Sequence, residues 1–294
     1  MTGSMEFCFL WETGWVENAE DWNSPGRAKL WLYNLHYFDD LNAENAEGRQ
    51  KWHIEYIRRW IAENPPGKGV GWEPYPTSLR MVNWIKWAVR GNSPAGGMAD
   101  RLAVQARWLE KRLEYHLLGN HLLANAKALA AAGLFFQGDE ARRWYKTGMN
   151  LLEGQLQEQV LEDGGHFERS PMYHLIVLED LLDLMNLHRV YGQESPAGWE
   201  ELAEKMLCWS RAMRHPDVEI PFFNDAAFGI APKPGEVDEY AEHLGTGCSQ
   251  GGQDTVVHME QSGYVRLERG PAVLLADAGP VGPDYLPGHA HADT

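Results

Sequence analysis

Three short stretches combine residue types that can move protons or hold anions. In residues 118–125, Gly119, Asn120 and His121 open an otherwise apolar, alanine-rich run. Asn120 falls where a helix begins. It can simply cap that helix, with His121 as a satisfied interior histidine. Alternatively, the free N–H groups and positive end of the helix can receive a carboxylate that Asn120 and His121 help to neutralise. In residues 163–174, Ser170 followed by Pro171 is a helix-start signal that puts Tyr173 and His174 in a first turn. His166, Glu168, Arg169, Tyr173 and His174 lie within nine residues. A lone tyrosine here is most simply a half-buried packing residue. Beside Arg169 or a helix N-terminus, however, its phenolate could be stabilised, as proton transfer requires. In residues 289–293, His289, His291 and Asp293 would share one face of a strand, and two histidines with an aspartate can ligate zinc. A solvated loop is the alternative.

Other stretches are less specific. Asn34, His36 and Tyr37 in residues 33–40, Trp72, Tyr75 and Arg80 in residues 72–80, and Asn224 in residues 222–225 mix aromatic rings with hydrogen-bonding groups. Expected in loops or at helix starts, they suit a sugar cleft. Arg80 fits an acidic group on a ligand and an internal salt bridge equally well.

The elements that must position these groups are mostly helices. From about residue 35 to 207 apolar positions recur at three and four, predicting helices near 98–117, 120–135, 139–158, 171–191 and 197–214. Trp52, Ile54, Ile57, Trp60 and Ile61 form an earlier stripe, and Leu79, Val82, Ile85 and Val89 another. Turn chemistry breaks the run at residues 64–67, 91–94 and 163–165. Helical hairpins in series fit an open solenoid or a closed α/α toroid, and no fixed-length repeat supports the solenoid. Residues 236–242 read as a solvated helix face. After about residue 245 a Gly-rich stretch leads into strand-like runs at 263–268 and 272–277, which are too few to close a sandwich.

Composition bounds the function. The 294 residues carry 44% hydrophobic side chains, enough for a buried core. A net charge of −16 argues against nucleic acid as a partner, since that needs a basic surface. Thirteen Trp, eleven Tyr and nine Phe suit carbohydrate stacking, although helix packing accounts for most individual tryptophans. Cys8, Cys208 and Cys248 are odd in number and widely spaced, so unpaired thiols are expected. No signal peptide and no membrane span is legible.

Taken in order, Asn34-Leu35-His36-Tyr37-Phe38, residues 72–80, Gly119-Asn120-His121, residues 164–173 and His289-Ala290-His291-Ala292-Asp293 resemble the heparinase II/III-like polysaccharide lyases over nearly the whole chain. The resemblance implies a mainly α fold, an incomplete α/α toroid of helical hairpins followed by the first strands of an antiparallel β-sandwich. The corresponding divisions are an N-terminal extension over 1–30, the toroid over 31–245 and a truncated sandwich start over 255–294. It implies β-elimination at a uronic acid of an acidic polysaccharide. Asn120 and His121 would neutralise the carboxylate, Tyr173 would protonate the leaving oxygen, and His289 would be the base for one stereochemistry, with Tyr173 as both acid and base for the other. Asn34, His36, Tyr37, Trp72, Tyr75, Arg80, Glu168, Arg169, His174 and Asn224 would contact substrate. The chemistry would need no cofactor, whereas His291 matches one ligand of a structural zinc. A bacterial periplasmic or surface location is implied, with the cytoplasm as an alternative. Competing readings are an α/α-toroid glycoside hydrolase drawing on Glu73, Glu168 or Asp225, and a non-catalytic glycan-binding module.

Overall fold

A computed structural model describes residues 1–92, 96–248, 256–286 and 288. The expected mainly helical fold with a small antiparallel sheet near the C-terminus is what forms. The chain divides into two compact units, Met1–Leu152 and Glu153–Thr294.

The first unit opens with a hairpin that residue patterning does not reveal, because each strand is only four residues long. Strands β1 (Glu6–Phe9) and β2 (Glu12–Trp15) pair antiparallel, Phe7 opposite Gly14. Gly14 is needed there, since a Cβ would lie 2.5 Å from the Trp31 ring. Helices α1 (Lys29–Tyr37), α2 (Gln50–Glu63), α3 (Pro74–Val89), α4 (Met98–Leu109) and α5 (Gly119–Phe135) follow. Helix α6 (Asp139–Gln159) contains the division between the units.

Helix α1 begins six residues before the periodicity expected at residue 35, so residues 33–37 are helical. It stops at Phe38, whose backbone is left-handed at φ +67°. That conformation is held by packing: the Phe38 ring stacks on Tyr56 at 3.8 Å and meets Trp84 edge-on at 5.4 Å. Trp22, Trp31, Trp60, Trp84 and Trp87 are buried in the same unit, so these indoles serve the core. Of the expected α2 stripe, Ile57 and Trp60 face inward, joined by His53 and Tyr56, while Ile54 is 41% exposed.

Helix α4 ends at Leu109 rather than near 117. The amide of Glu114 donates to the Asn125 side chain at 2.9 Å, and Leu118 takes φ +58°, so these residues leave the helical path for a tertiary partner. Helix α5 is buried over most of its length, and its alanines let neighbours approach closely. Gly133 and Gly148 complete that approach, because a Cβ on Gly148 would stand 2.5 Å from the Ala130 amide nitrogen of α5.

The second unit contains α7 (Pro171–Val190), α8 (Trp199–Ala212) and α9 (Pro234–His243). Ser170 caps α7 as expected, its hydroxyl accepting the Tyr173 amide at 3.4 Å, with Pro171 in the first turn. Strands β3 (Val256–Met259), β4 (Tyr264–Arg269) and β5 (Ala272–Asp277) form an antiparallel sheet in that order, with Tyr264 opposite both Met259 and Asp277. Met259 and Tyr264 pack with Trp209 and Met213, which joins the sheet to the end of α8. Cys208 is disulfide-bonded to Cys248 with Cα atoms 5.0 Å apart, which corrects the expectation of unpaired thiols. Forty residues separate the pair, and proximity set by the fold leaves no local spacing to read. Cys8 is free and exposed. Among the described residues no helix is long and apolar enough to cross a membrane.

Candidate functional site

In the first unit, the candidate groups gather where α5 begins. Leu118 precedes the helix without a side-chain cap, and Asn120 lies in the first turn rather than at the N-cap. His121 is partly exposed. Its Nδ1 lies 3.2 Å from Glu114 Oε1, and its ring lies 4.4 Å from that of Tyr75. Glu114 is buried and held in turn: the Asn125 amide donates to its Oε2 at 3.0 Å and to Ser78 Oγ at 3.1 Å. Tyr75 meets Tyr37 edge-on at 5.9 Å, and Tyr37 meets Tyr33 at 6.2 Å. Tyr33 donates a short hydrogen bond to Glu73, which also pairs with Lys29 at 2.9 Å. Burial first, then nearby carboxylates and phenols, pushes the Tyr33 and Tyr37 hydroxyls well above the usual phenol range. The result is a row of tyrosines leading to a histidine and an asparagine at a helix N-terminus.

Four other candidates in this unit are already engaged within the protein. His36 is fully buried; its Nε2 faces the Trp22 carbonyl at 2.9 Å, and its Nδ1 accepts from the Trp60 indole at 2.9 Å. Burial, reinforced by the Arg80 charge, lowers its pKa to about 3, so it is neutral. Arg80, expected against a ligand's acid or in a salt bridge, is buried and turned inward. Its guanidinium donates to Gln105 Oε1 at 2.7 Å and the His36 carbonyl at 3.1 Å, and lies 3.9 Å from the Trp60 ring centroid. Trp72 is buried, its indole bonded to the Asn64 carbonyl at 3.3 Å. Asn34 donates to the Leu30 carbonyl of its own helix at 2.8 Å.

In the second unit, Tyr173 is half-buried in the first turn of α7, and its hydroxyl donates to Asp225 Oδ2 at 3.4 Å. Burial, the Asp225 and Glu168 charges and this hydrogen bond together push the phenol well above its usual pKa. The expected stabilisation of a Tyr173 phenolate by Arg169 is therefore corrected. Arg169 points at the sheet segment instead, donating to the carbonyls of Ser262 at 2.9 Å and Val281 at 3.0 Å. Glu168 is buried close by. His174 is buried against Trp209, with Nε2 at 3.0 Å from the Met206 carbonyl, and burial lowers its pKa to about 3. Asn224 is buried as well. Its amide reaches the Arg169 carbonyl, the Tyr264 hydroxyl and Asp277 Oδ2 at 3.5, 3.3 and 3.4 Å, so it braces the turn beside Tyr173.

His289 and His291 lie outside the described residues. Among the described residues, no group of three or more His, Cys, Asp or Glu side chains is placed to hold a metal ion.

Comparison with known proteins accords with this helical arrangement. The family model for the heparinase II/III N-terminus matches residues 36–232, and that for the heparinase II/III-like C-terminal region matches 252–294. The chain belongs to the heparinase II/III family. Among relatives of known sequence, a heparin-sulfate lyase of Bacteroides stercoris is 36% identical over 115 residues, 38% of this chain and 17% of the relative. FtsZ-localized protein C of Caulobacter vibrioides is 26% identical over 274 residues, 90% of this chain and 46% of the relative. The crystal structure of a heparinase III superposes with a TM-score of 0.69 at 21% identity, over 89% of this chain and 47% of that one. That likeness shows a shared fold. The chain spans less than half the length of each of these relatives.

Within this heparinase II/III chain, two supports escape sequence reasoning. Glu114 falls within the stretch expected to continue α4, and only its tie to Asn125 reveals its place. Asn125 carries a usable signal, because it lies one helical turn after His121 and so shares its face. Glu73, available on paper to a hydrolase, is committed to Tyr33 and Lys29.

Proposed function

We propose that this chain supplies the carboxylate-binding and acid groups of a polysaccharide lyase that cleaves a uronic-acid-containing polysaccharide by β-elimination. The observation that carries the reading is the Tyr173 phenol, held at the start of α7 with its proton directed to Asp225 in acidic surroundings. A phenol so placed stays protonated at neutral pH, so it holds a proton that a departing oxygen can take. Asn120 and His121 supply neutral and histidine donors at the N-terminus of α5, where the helix dipole favours a carboxylate. Neutralising that carboxylate acidifies the C5 proton of the uronate. A base removes the proton, the C4–O bond breaks, and Tyr173 protonates the departing oxygen. Family resemblance offers His289 as the base. Partly exposed Tyr33 and Tyr75, linked through buried Tyr37, offer the aromatic faces on which sugars would pack. The zinc implied through His291 is proposed as structural only, and no step runs through it. The Cys208–Cys248 bond supports an oxidising compartment such as the periplasm.

The test is incubation with heparan sulfate, heparin, hyaluronan and alginate while following the ultraviolet absorbance of unsaturated uronates. At least one substrate should generate that absorbance, and Tyr173→Phe should lower turnover by about 100-fold or more while leaving the fold intact. New reducing ends without absorbance would mean hydrolysis, and binding without cleavage would mean a recognition module. Unchanged turnover in the Phe variant would remove Tyr173 from the chemistry.

A further inference from the structure

The turn that carries Asp225 is built with backbone strain. Asn224 and Asp225 are consecutive non-glycine residues in the left-handed region, at φ +45° and +48°, and Arg169 takes φ +57°. Such conformations persist only where the surroundings over-determine them. Here Asn224 bonds the Arg169 carbonyl, the Tyr264 hydroxyl and Asp277, while the Tyr264 hydroxyl donates to the same Arg169 carbonyl at 2.7 Å. The network fastens the Asp225 turn to the segment leading into α7, and the carboxylate of Asp225 meets the Tyr173 hydroxyl.

We infer that Asp225 is a positioning residue, fixing the Tyr173 hydroxyl for the acid role and barring it from serving as the base. This rests on the reading of Tyr173 as a proton donor and decides between the two roles the family chemistry leaves open to it. Among the described residues, the groups facing Tyr173 include Asp225 from the turn after α8 and, from the segment before α7, Glu168 and the His166 ring at 6.5 Å. Arg169 is turned to the Ser262 and Val281 carbonyls. A phenolate among two carboxylates is costly, so abstraction of the C5 proton falls to another group. In the elimination, that base takes the C5 proton, and the electron pair of the C5–H bond becomes the C4–C5 double bond. The C4–O pair leaves on oxygen, which takes the Tyr173 proton. The phenolate left beside Asp225 then recovers a proton from water.

The experiment compares Asp225→Asn and Asp225→Glu with the unmodified chain and with Tyr173→Phe. Asp225→Asn should lower kcat by about tenfold while leaving KM within about twofold. The alkaline limb of its kcat profile should move to lower pH, because the charge that opposes phenol ionisation has gone. Asp225→Glu should restore part of kcat. A measurement independent of turnover is NMR titration of ring-labelled tyrosine, with Tyr173 assigned through its Phe variant; its ionisation should fall to lower pH in Asp225→Asn. Unchanged kcat with an unmoved alkaline limb, or an unmoved Tyr173 titration, overturns the inference. Wild-type turnover in Tyr173→Phe would instead sink the acid reading beneath it. If no substrate is turned over, the titration alone decides.

Discussion

His121 is held from two sides, and the holding reaches far beyond the first turn of α5. Tyr75 covers its ring while Glu114 faces its Nδ1, and Glu114 is fixed by Asn125, which binds both the Glu114 amide and its carboxylate. Removing Asn125 leaves buried groups of Glu114 short of partners, a loss of about 1–3 kcal/mol for each group left unsatisfied. Asn125→Ala should therefore lower the unfolding midpoint of the first unit and weaken substrate binding together. Asn125→Asp should be worse at neutral pH, since it sets a second carboxylate against Glu114, and the gap between the two variants should narrow at pH 5. Thermal melts of both variants at pH 5 and 8 check this; a gap that does not depend on pH would show that charge is not what Asn125 avoids. The residue types at 120, 121 and 173 were legible from sequence because they interrupt apolar runs at helix starts. Their orientation was not. Nothing local foretells that Arg169 turns to the Ser262 carbonyl rather than to Tyr173, or that Arg80 spends its donors on neutral groups beneath Trp60.

The same division between type and placement holds for the elements. Long helices α5 to α8 are legible because their apolar spacing persists over three or more turns, and Ser170-Pro171 marks the start of α7 sharply. The β1–β2 hairpin is too short to carry a period, and α4 ends early because a tertiary bond captures Glu114. Close approach of helices is likewise hidden until packing is known. Gly148 on α6 faces the backbone of α5, with a would-be Cβ 2.5 Å from the Ala130 nitrogen and 2.7 Å from the Ala126 carbonyl oxygen. Backbone cannot yield as a side-chain tip can. Gly148→Ala should therefore destabilise by about 1–3 kcal/mol, despite the helix-propensity gain of roughly 1 kcal/mol. Gly154, on the same helix, is exposed with open space around it, so Gly154→Ala should raise stability by up to about 1 kcal/mol. Urea midpoints of the two variants measure the contrast. Equal shifts would mean that propensity, not helix approach, governs α6.

For the whole molecule, the two units share one electrostatic vulnerability. Each buries a histidine, His36 in the first and His174 in the second, whose pKa burial lowers from 6.5 to about 3. Between those values the unfolded chain takes up protons that the folded one refuses. Stability is therefore complete above pH 6.5 and is lost as pH falls toward 3, by about 1.4 kcal/mol per pH unit for each histidine. The tyrosines set the opposite limit. Buried Tyr37 and Tyr56 have raised pKa values, so the unfolded chain ionises first, and stability is lost as pH rises above 10. The net charge of −16 works against the acid effect, because protonating carboxylates relieves self-repulsion, but that relief is long-ranged and salt screens it. The histidine contribution sits inside the protein and is screened much less. In moderate salt the unfolding midpoint should fall steadily from pH 6.5 to 4. His174→Gln keeps a donor for the Met206 carbonyl but cannot titrate, so it should reduce the slope for the second unit while the first keeps its own. Urea titrations across that range, read through a fluorescence probe placed in each unit, test both statements. A midpoint that rises on acidification would show that charge repulsion outweighs the buried histidines.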